Sequence, residues 1–406
     1  MRFTFVLPVD EYFTPGWSGA VATVTRQLVT ELGLMGHECV VLAPDDGEDV
    51  YPDLSVTRLD FGPAHPRPVV ARKLASLAAR VRGLPRWDYA AYWSAVRRGL
   101  DRAPHGDVVI ANDPVAATRL ARRDRKARVV LWLHNFPDSQ ATEALRDVPD
   151  EVLVLAVSEA VARATATGSD GRVSPLVVHN GVDTRLFHPP SEPPSGRPLR
   201  VVCHGRIDPN KGQDAAALGV AMLRQEGRDV ELTVIGELRT FGFDQAVADA
   251  YASRVADAVA LAGGRMLGWM PHDQLAVELR TYDIACALSR VEEPFGLAAL
   301  EAMASGCAVV ATSKGGLPEV VGSAGVMVAP DSPEEVAAAI RGLSDLERLR
   351  DVRRACSERA AGLTWSATAN RFLQVLDEPR RARAATRATD RPRTDPLKSD
   401  GTGTTG

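Results

Sequence analysis

Two glutamates eight residues apart, Glu293 and Glu301, bracket the stretch Glu-Pro-Phe-Gly-Leu-Ala-Ala-Leu-Glu. Glu293 precedes Pro294, which suits the first turn of a helix, and Phe295, Gly296 and Leu297 would then present unpaired backbone N–H groups at its start. Glu301 falls in the second or third turn. A helix N-terminus that faces a cleft is an anion site, so a phosphate placed there would have an acid on each side. Carboxylates repel phosphate but accept hydroxyls, so the pair suits the hydroxyls of a sugar or a ribose. Taken singly, each glutamate reads more readily as a solvated acid at a helix start.

The elements needed to present such a pair are legible along the chain. Short β-branched runs alternate with Ala-rich amphipathic segments, as in a parallel sheet with crossover helices. Strands are predicted at Phe3 to Leu7, Cys39 to Ala43, Val108 to Ala111, Val129 to Leu133, Leu153 to Val157 and Leu176 to His179, with a helix from about Gly19 to Met35. Pro189 to Pro198 reads PPSEPPSGRP, which neither sustains a strand ladder nor continues a helix, and serves as the linker. The pattern then restarts with strands at Val201 to His204, Glu231 to Ile235, Ile284 to Leu288 and Ala308 to Ala311, and helices from about Gln213 and Gly296. The reading is α/β, two Rossmann-like doubly wound domains facing across a cleft: residues 1–189, a hinge at 190–198, a second domain at 199–363, a helix at 364–378 crossing back to the first, and a disordered tail at 379–406.

Composition sets limits. The chain has 406 residues, 45% hydrophobic and 25% charged, an ordinary globular mixture. Lys and Arg total 48 against 52 Asp and Glu, so the formal charge is −4 and nucleic-acid binding is not its main task. The tail carries +4, which leaves the remainder at −8. Five scattered cysteines form no Cys-x-x-Cys pair and read as reduced thiols, and an acid at Asp10 comes too early for a signal peptide. A cytoplasmic protein is expected. From Arg67 to Arg102 nine basic residues face only Asp88 and Asp101, and Val70, Leu74, Leu77 and Val81 form a helical stripe. That stretch reads as a core-packed helix with a solvated basic face, or alternatively as a weak peripheral membrane contact.

The segment EPFGLAALEAMASG followed by GGLPEVV resembles the signature of the retaining family-4 glycosyltransferases of the GT-B fold. HGRIDPNKG, His179-Asn180-Gly181-Val182-Asp183, Val157-Ser158-Glu159 and the loop at Gly19 match further family motifs in the same order, over about residues 1 to 378. The resemblance implies that Arg206 and Lys211 grip a donor diphosphate, and that Glu293 and the N–H groups near Phe295, Gly296 and Leu297 hold the sugar and phosphate. It further implies that Glu301 holds the ribose, and that His134 lies against the transferred sugar. Gly19 would let the backbone approach the phosphate from the opposite domain, and Gly315 and Gly316 would shape the loop facing sugar and acceptor. Trp269 and Met270 are read as lying near the base, or as core. Arg206 and Lys211 alone would read as surface charges, His134 as a strand cap, and Ser158 and Glu319 as residues that orient loops.

The chain departs from the family pattern in three places. The first loop has Ser18-Gly19 in place of a glycine pair, His134 is followed by Asn135-Phe136, and Arg239 to Phe243 reads as an enlarged loop near the nucleotide. The expected reaction moves a hexose, glucose or N-acetylglucosamine first, from a UDP-linked donor to a small soluble acceptor such as an antibiotic-type aminocyclitol. GDP-mannose as donor, and a lipid or inositol acceptor at a membrane surface, are the alternatives. No metal or other cofactor is expected, since no Asp-x-Asp triplet occurs. A glycoside hydrolase, a dehydrogenase (disfavoured because no Gly-x-Gly-x-x-Gly opens either half) and a degenerate sugar-nucleotide-binding protein are the rival readings.

Overall fold

The computed structural model describes residues 1–15, 19–45, 47, 49–61, 89–102, 106–123, 126–192, 198–238 and 245–378. Arg67 to Asp88 of the basic stretch, the Arg239 to Phe243 loop, the hinge interior at 193–197 and the tail at 379–406 lie outside the described residues.

Two parallel sheets form the frame. The first joins β1 (Arg2–Val6), β2 (Glu38–Pro44), β3 (Val56–Leu59), β4 (Val108–Ala111), β5 (Arg128–Leu133), β6 (Leu153–Ala156) and β7 (Leu176–Val177) in the order β3-β2-β1-β4-β5-β6-β7. The second joins β8 (Leu199–His204), β9 (Val230–Ile235), β10 (Arg265–Met266), β11 (Ile284–Ala287), β12 (Ala308–Thr312) and β13 (Val326–Val328) in the order β10-β9-β8-β11-β12-β13. Strand order reverses between β1 and β4 and again between β8 and β11. In an open parallel sheet the crevice at the carboxyl end of such a reversal is where ligands bind.

The central strands are apolar on both faces because helices cover both, so they read as continuous runs. Three strands not anticipated, β3, β10 and β13, lie at or next to sheet edges; β10 has only the exposed pair Arg265 and Met266, too little pattern to recognise. The helix Trp365–Asp377 lies on the first sheet's domain. Its Phe372 ring stacks on Trp132 at 5.6 Å and lies 5.8 Å from Phe3, and Thr368 donates to the His179 carbonyl at 2.9 Å. Gly181 faces the chain just before this helix: a Cβ there would stand 2.3 Å from the Thr364 carbonyl carbon. The described end of the basic stretch, the helix Tyr89–Arg102, buries Tyr92 and Val96 and leaves Arg97, Arg98 and Arg102 outward.

All five cysteines are free thiols. Among the described residues no helix is long and apolar enough to cross a membrane.

Candidate functional site

The reversal between β8 and β11 sets Lys211 beside Glu293. After β8 the chain runs Gly205-Arg206 and turns at Asp208, whose carboxylate accepts from the Asn210 N–H at 2.8 Å and whose carbonyl accepts from the Lys211 N–H at 2.8 Å. Gly212 (φ +67) starts the next helix, Gln213–Gln225, directly under Leu288: a Cβ there would lie 2.3 Å from the Leu288 carbonyl oxygen. The loop after β11 is stitched to this turn by Arg290. Its N–H donates to Asn210 O at 2.8 Å, and its Nη2 donates to both oxygens of the Asp214 carboxylate at 2.8 and 2.9 Å. Hydrogen bonds between two ionised groups are shorter and stronger than neutral ones, and this one ties the two loops together.

On that support Lys211 Nζ reaches Glu293 Oε2 at 2.6 Å, and Ser289 Oγ donates to the same oxygen at 2.7 Å. Burial pushes the Glu293 carboxyl up. Lys211, the Ser289 hydroxyl and the nearby Arg206 outweigh it, so the group is held below the usual carboxylate range and stays ionised. Arg206 itself is part-exposed, with Nη1 3.4 Å from the buried Asp208 carboxylate.

Glu293 does not open the helix. The helix spans Leu297–Ala304, and Gly296 caps it at φ +107, a backbone state that the helix cannot continue through, so Glu293 belongs to the preceding turn. The N–H groups of Leu297, Ala298 and Ala299 have no carbonyl one turn earlier and form the start expected for an anion site. Glu301, in the second turn, is fixed by residues that the sequence did not single out. His204, the last residue of β8, sets Nε2 3.3 Å from Oε2, and His272 sets Nε2 3.6 Å from Oε1. Burial raises the Glu301 carboxyl, but the two imidazoles carry it down to about 2. His272 is raised in turn, chiefly by Glu301.

Trp269 and Met270 precede the helix His272–Leu279 that carries His272, which puts them on the Glu301 side of the cleft. Trp269 is 47% exposed and so is not a core aromatic, whereas Met270 is half-buried against the core.

Gly315 and Gly316 serve the Glu293 turn. Gly316 donates its N–H to the Glu293 carbonyl at 2.7 Å, and Gly315 to the Glu292 carboxylate at 2.6 Å. A Cβ on Gly315 would lie 2.1 Å from Glu293 O, and one on Gly316 2.7 Å from Pro294 O.

The first domain supplies the facing wall. His134 follows β5 at its carboxyl end, buried, its ring 5.0 Å from Trp132 and its Nδ1 with no partner among the described residues. Burial lowers its pKa to about 3, so the imidazole is neutral. A strand cap would have engaged that nitrogen; left buried and unpaired, it suits a group that arrives from outside. Phe136, Pro137, Thr142 and Arg163 line an interdomain crevice with Val291 and Glu292, immediately before Glu293.

Gly19 departs from expectation. It has an ordinary φ of −77° and caps the helix Ala20–Leu34, but the space beside it is filled: a Cβ there would lie 2.3 Å from Glu11 Oε1. That carboxylate accepts from the Ala22 N–H at 2.8 Å, so the helix start already holds an anion of the protein's own. Burial raises the Glu11 pKa.

Residues 19–186 match the model of Glycosyltransferase Family 4, and residues 198–345 match that of Glycosyl transferases group 1. The chain belongs to the family 4 glycosyltransferases. Two mycobacterial proteins are among its relatives. The MMP alpha-(1->4)-mannosyltransferase of Mycolicibacterium hassiacum is 34% identical over 283 residues, 66% of this chain and 63% of that one. The phosphatidyl-myo-inositol mannosyltransferase of Mycolicibacterium smegmatis is 28% identical over 411 residues, 93% and 94% of the two chains. The chain spans between 45% and 63% of the length of the first curated relatives it matches. Among solved structures, Alr3699/HepE of Anabaena in complex with UDP superposes with a TM-score of 0.68 at 18% identity, over 93% of this chain and 100% of that one. The fold is GT-B, two Rossmann-like domains.

In this family 4 glycosyltransferase, then, the structure draws Arg206, Lys211, Glu293, Phe295 to Leu297, Glu301, Gly315 and Gly316 into one cluster. His134 stands in the facing domain, and Gly19 is tied to Glu11. Ser289, Arg290, His204 and His272 escaped sequence reading: Ser289 lies four residues before Glu293 outside the matched segment, His204 opens HGRIDPNKG without being singled out in it, and Arg290 and His272 act through partners brought close by folding.

Proposed function

We propose that this family 4 glycosyltransferase moves a hexose from a nucleoside diphosphate sugar to an acceptor hydroxyl with retention at the anomeric carbon. One observation carries the reading: the Lys211–Glu293 pair stands at the sheet reversal, beside Arg206 and before the helix that starts at Leu297, whose first-turn amides lie beyond the reach of its own carbonyls. In this reading Arg206, Lys211 and those amides take the diphosphate, whose charge grows as the bond to the sugar breaks. Glu293 accepts from sugar hydroxyls, and the ribose hydroxyls bond to Glu301. The neutral His134 meets the sugar from the facing domain.

Glu293 has one carboxylate oxygen already engaged by two donors, which suits a holding role better than a nucleophile's. The step that fits is a front-face displacement. The bond from C1 to the phosphate oxygen breaks, that from C1 to the acceptor oxygen forms on the same face, and the acceptor proton passes to the leaving phosphate. Lys211 and Arg206 supply the cationic charge, and no metal is assigned a part.

UDP is the first donor nucleotide in this reading, in line with the UDP complex of the HepE neighbour, and the two mannosyltransferase relatives keep mannose among the sugars to test. A small soluble acceptor such as an aminocyclitol rests on the acidic body alone. A lipid-linked inositol acceptor is the second reading, favoured by the relative named phosphatidyl-myo-inositol mannosyltransferase, which aligns along 93% of this chain. The test is thermal stabilisation by UDP, GDP and their glucose, N-acetylglucosamine and mannose conjugates, with and without EDTA. Stabilisation by one nucleotide series that survives EDTA supports the reading and selects the donor for acceptor screening. Stabilisation by none at millimolar ligand would overturn it in favour of a protein that has lost its donor site.

A further inference from the structure

Glu319 lies on the short helix Leu317–Val321 of the second domain, yet its carboxylate caps a helix of the first. The Glu159 N–H donates to Oε2 at 2.7 Å and the Ala160 N–H to Oε1 at 2.8 Å, while His179 Nε2 lies 3.3 Å from Oε2. The next amide of the same helix, at Val161, is taken by Ser158 Oγ at 3.1 Å from within its own domain. The start of the helix Glu159–Gly168 is therefore completed by a residue some 160 positions away in sequence. Donors to an ionised carboxylate at a helix N-terminus combine charge-assisted hydrogen bonds with the helix dipole. A second contact reinforces the junction: the Phe295 ring stands 5.9 Å from His179.

The same helix is tied to the Glu293 turn. The Glu319 N–H donates to the Gly316 carbonyl at 3.0 Å, and the Gly316 N–H donates to the Glu293 carbonyl at 2.7 Å. From the other side, Arg359 donates to the Glu319 and Val320 carbonyls, which fixes the short helix to the body of the second domain. A continuous run of bonds thus leads from the amides of residues 159 and 160, through Glu319 and Gly316, to the backbone of Glu293.

We infer that Glu319 is a positioning residue that registers the first domain on the Glu293 turn, so that closing the cleft and seating Glu293 are one event. This rests on the transfer reading for its purpose, although the junction itself does not. Separated domains would leave two helix-start amides and a carboxylate to water, and would release the turn that presents Glu293.

The test compares Glu319→Ala, the near-isosteric Glu319→Gln, and Ser158→Ala in the full chain, by small-angle X-ray scattering and by hydrogen exchange read with mass spectrometry. Ser158→Ala removes a cap on the same helix without touching the junction. It should speed exchange at residues 158–162 and leave the radius of gyration unchanged. Glu319→Ala should enlarge the radius and speed exchange both at 158–162 and at 293–297, with Glu319→Gln between it and the parent. Exchange that rises only at 158–162 in Glu319→Ala, with an unchanged radius, would overturn the inference and leave Glu319 an ordinary cap. Turnover of UDP-glucose and GDP-mannose is followed in parallel. An opened variant whose parent turns over neither donor would leave the junction standing and count against the transfer reading alone.

Discussion

The ammonium of Lys211 lies 2.6 Å from a Glu293 oxygen that also receives the Ser289 hydroxyl, so the cation proposed for the phosphate and the carboxylate proposed for the sugar are bound to each other. Lys211 helps to hold Glu293 ionised. Remove the ammonium and burial, which acts to raise the Glu293 pKa, loses its main opponent.

Lys211→Met should therefore do two things. Transfer should fall by about a hundredfold, the scale on which one charge-stabilising contact counts in a transition state. The acid limb of the rate profile should also move to higher pH. The sign follows from direction: Glu293 is depressed in the parent, so its ionised form persists until pH falls below the usual carboxylate range, and without Lys211 it is lost earlier. Glu293→Gln should give a comparable loss of transfer with no acid limb from this group. A Lys211→Met limb at the parent position would show that the pair does not control the Glu293 charge.

Arg206 stands 3.4 Å from the Asp208 carboxylate and is 39% exposed along its side chain. Arg206→Ala should then change stability little, since exposed pairs contribute about 1 kcal/mol or less. Its effect should appear in binding. Loss of a charge-assisted bond to a phosphate is worth roughly 1.5–3 kcal/mol, so affinity for UDP or GDP by calorimetry should weaken about ten- to hundredfold. Unchanged affinity would remove Arg206 from the phosphate site.

Glu301 is held between His204 and His272, and the two oxygens are thereby turned to fixed directions. If they meet a ribose, the chain should prefer UDP over its 2′-deoxy analogue, and Glu301→Gln should narrow that preference. His272→Ala should narrow it less, and in a pH-dependent way. The His272 pKa is raised, so its attraction to Glu301 is complete below the ordinary histidine range and fades as pH rises through the raised value. The parent and His272→Ala should accordingly differ most at mildly acidic pH and converge under alkaline conditions. Equal preference for ribose and deoxyribose in the parent would place the ribose elsewhere.

Much of this arrangement was legible before folding, for particular reasons. Val108 to Ala111 and the other central strands read cleanly because burial on both faces leaves only apolar residues, and Gln213 marks its helix because Lys211-Gly212 forms the turn before it. The helix start near Gly296 was legible, but Glu293 was read into its first turn because Pro294 is a common helix opener, and only the φ of +107° at Gly296 shows that Glu293 belongs to the turn before. Gly19 misled for a similar reason. A glycine at a strand-to-helix turn suggests space for a ligand, but Glu11, eight residues away and outside any motif, fills that space. His204 and His272 reach Glu301 across a fold-made gap that no local spacing announces, and Ser289, four residues before Glu293, is one of many serines whose hydroxyl has no set partner until the turn forms.

Gly315 offers the sharpest test of how the backbone seats Glu293. It holds φ +58°, where an alanine costs roughly 1–2 kcal/mol by backbone strain alone. A Cβ would also lie 2.1 Å from Glu293 O and 2.5 Å from Glu293 N, two backbone atoms that cannot swing aside as a side chain would. Gly227 supplies the control, with φ +75° and nothing within 4 Å of its would-be Cβ. Gly227→Ala should lower the unfolding temperature by a few degrees and leave transfer at the parent rate. Gly315→Ala should be destabilised further, and its transfer should fall by about a hundredfold, because a shift of about 1 Å at the reacting groups is enough for such a loss. If Gly315→Ala kept the parent rate while losing stability, the Glu293 turn would tolerate displacement, and the carboxylate could not be holding the sugar in one fixed position.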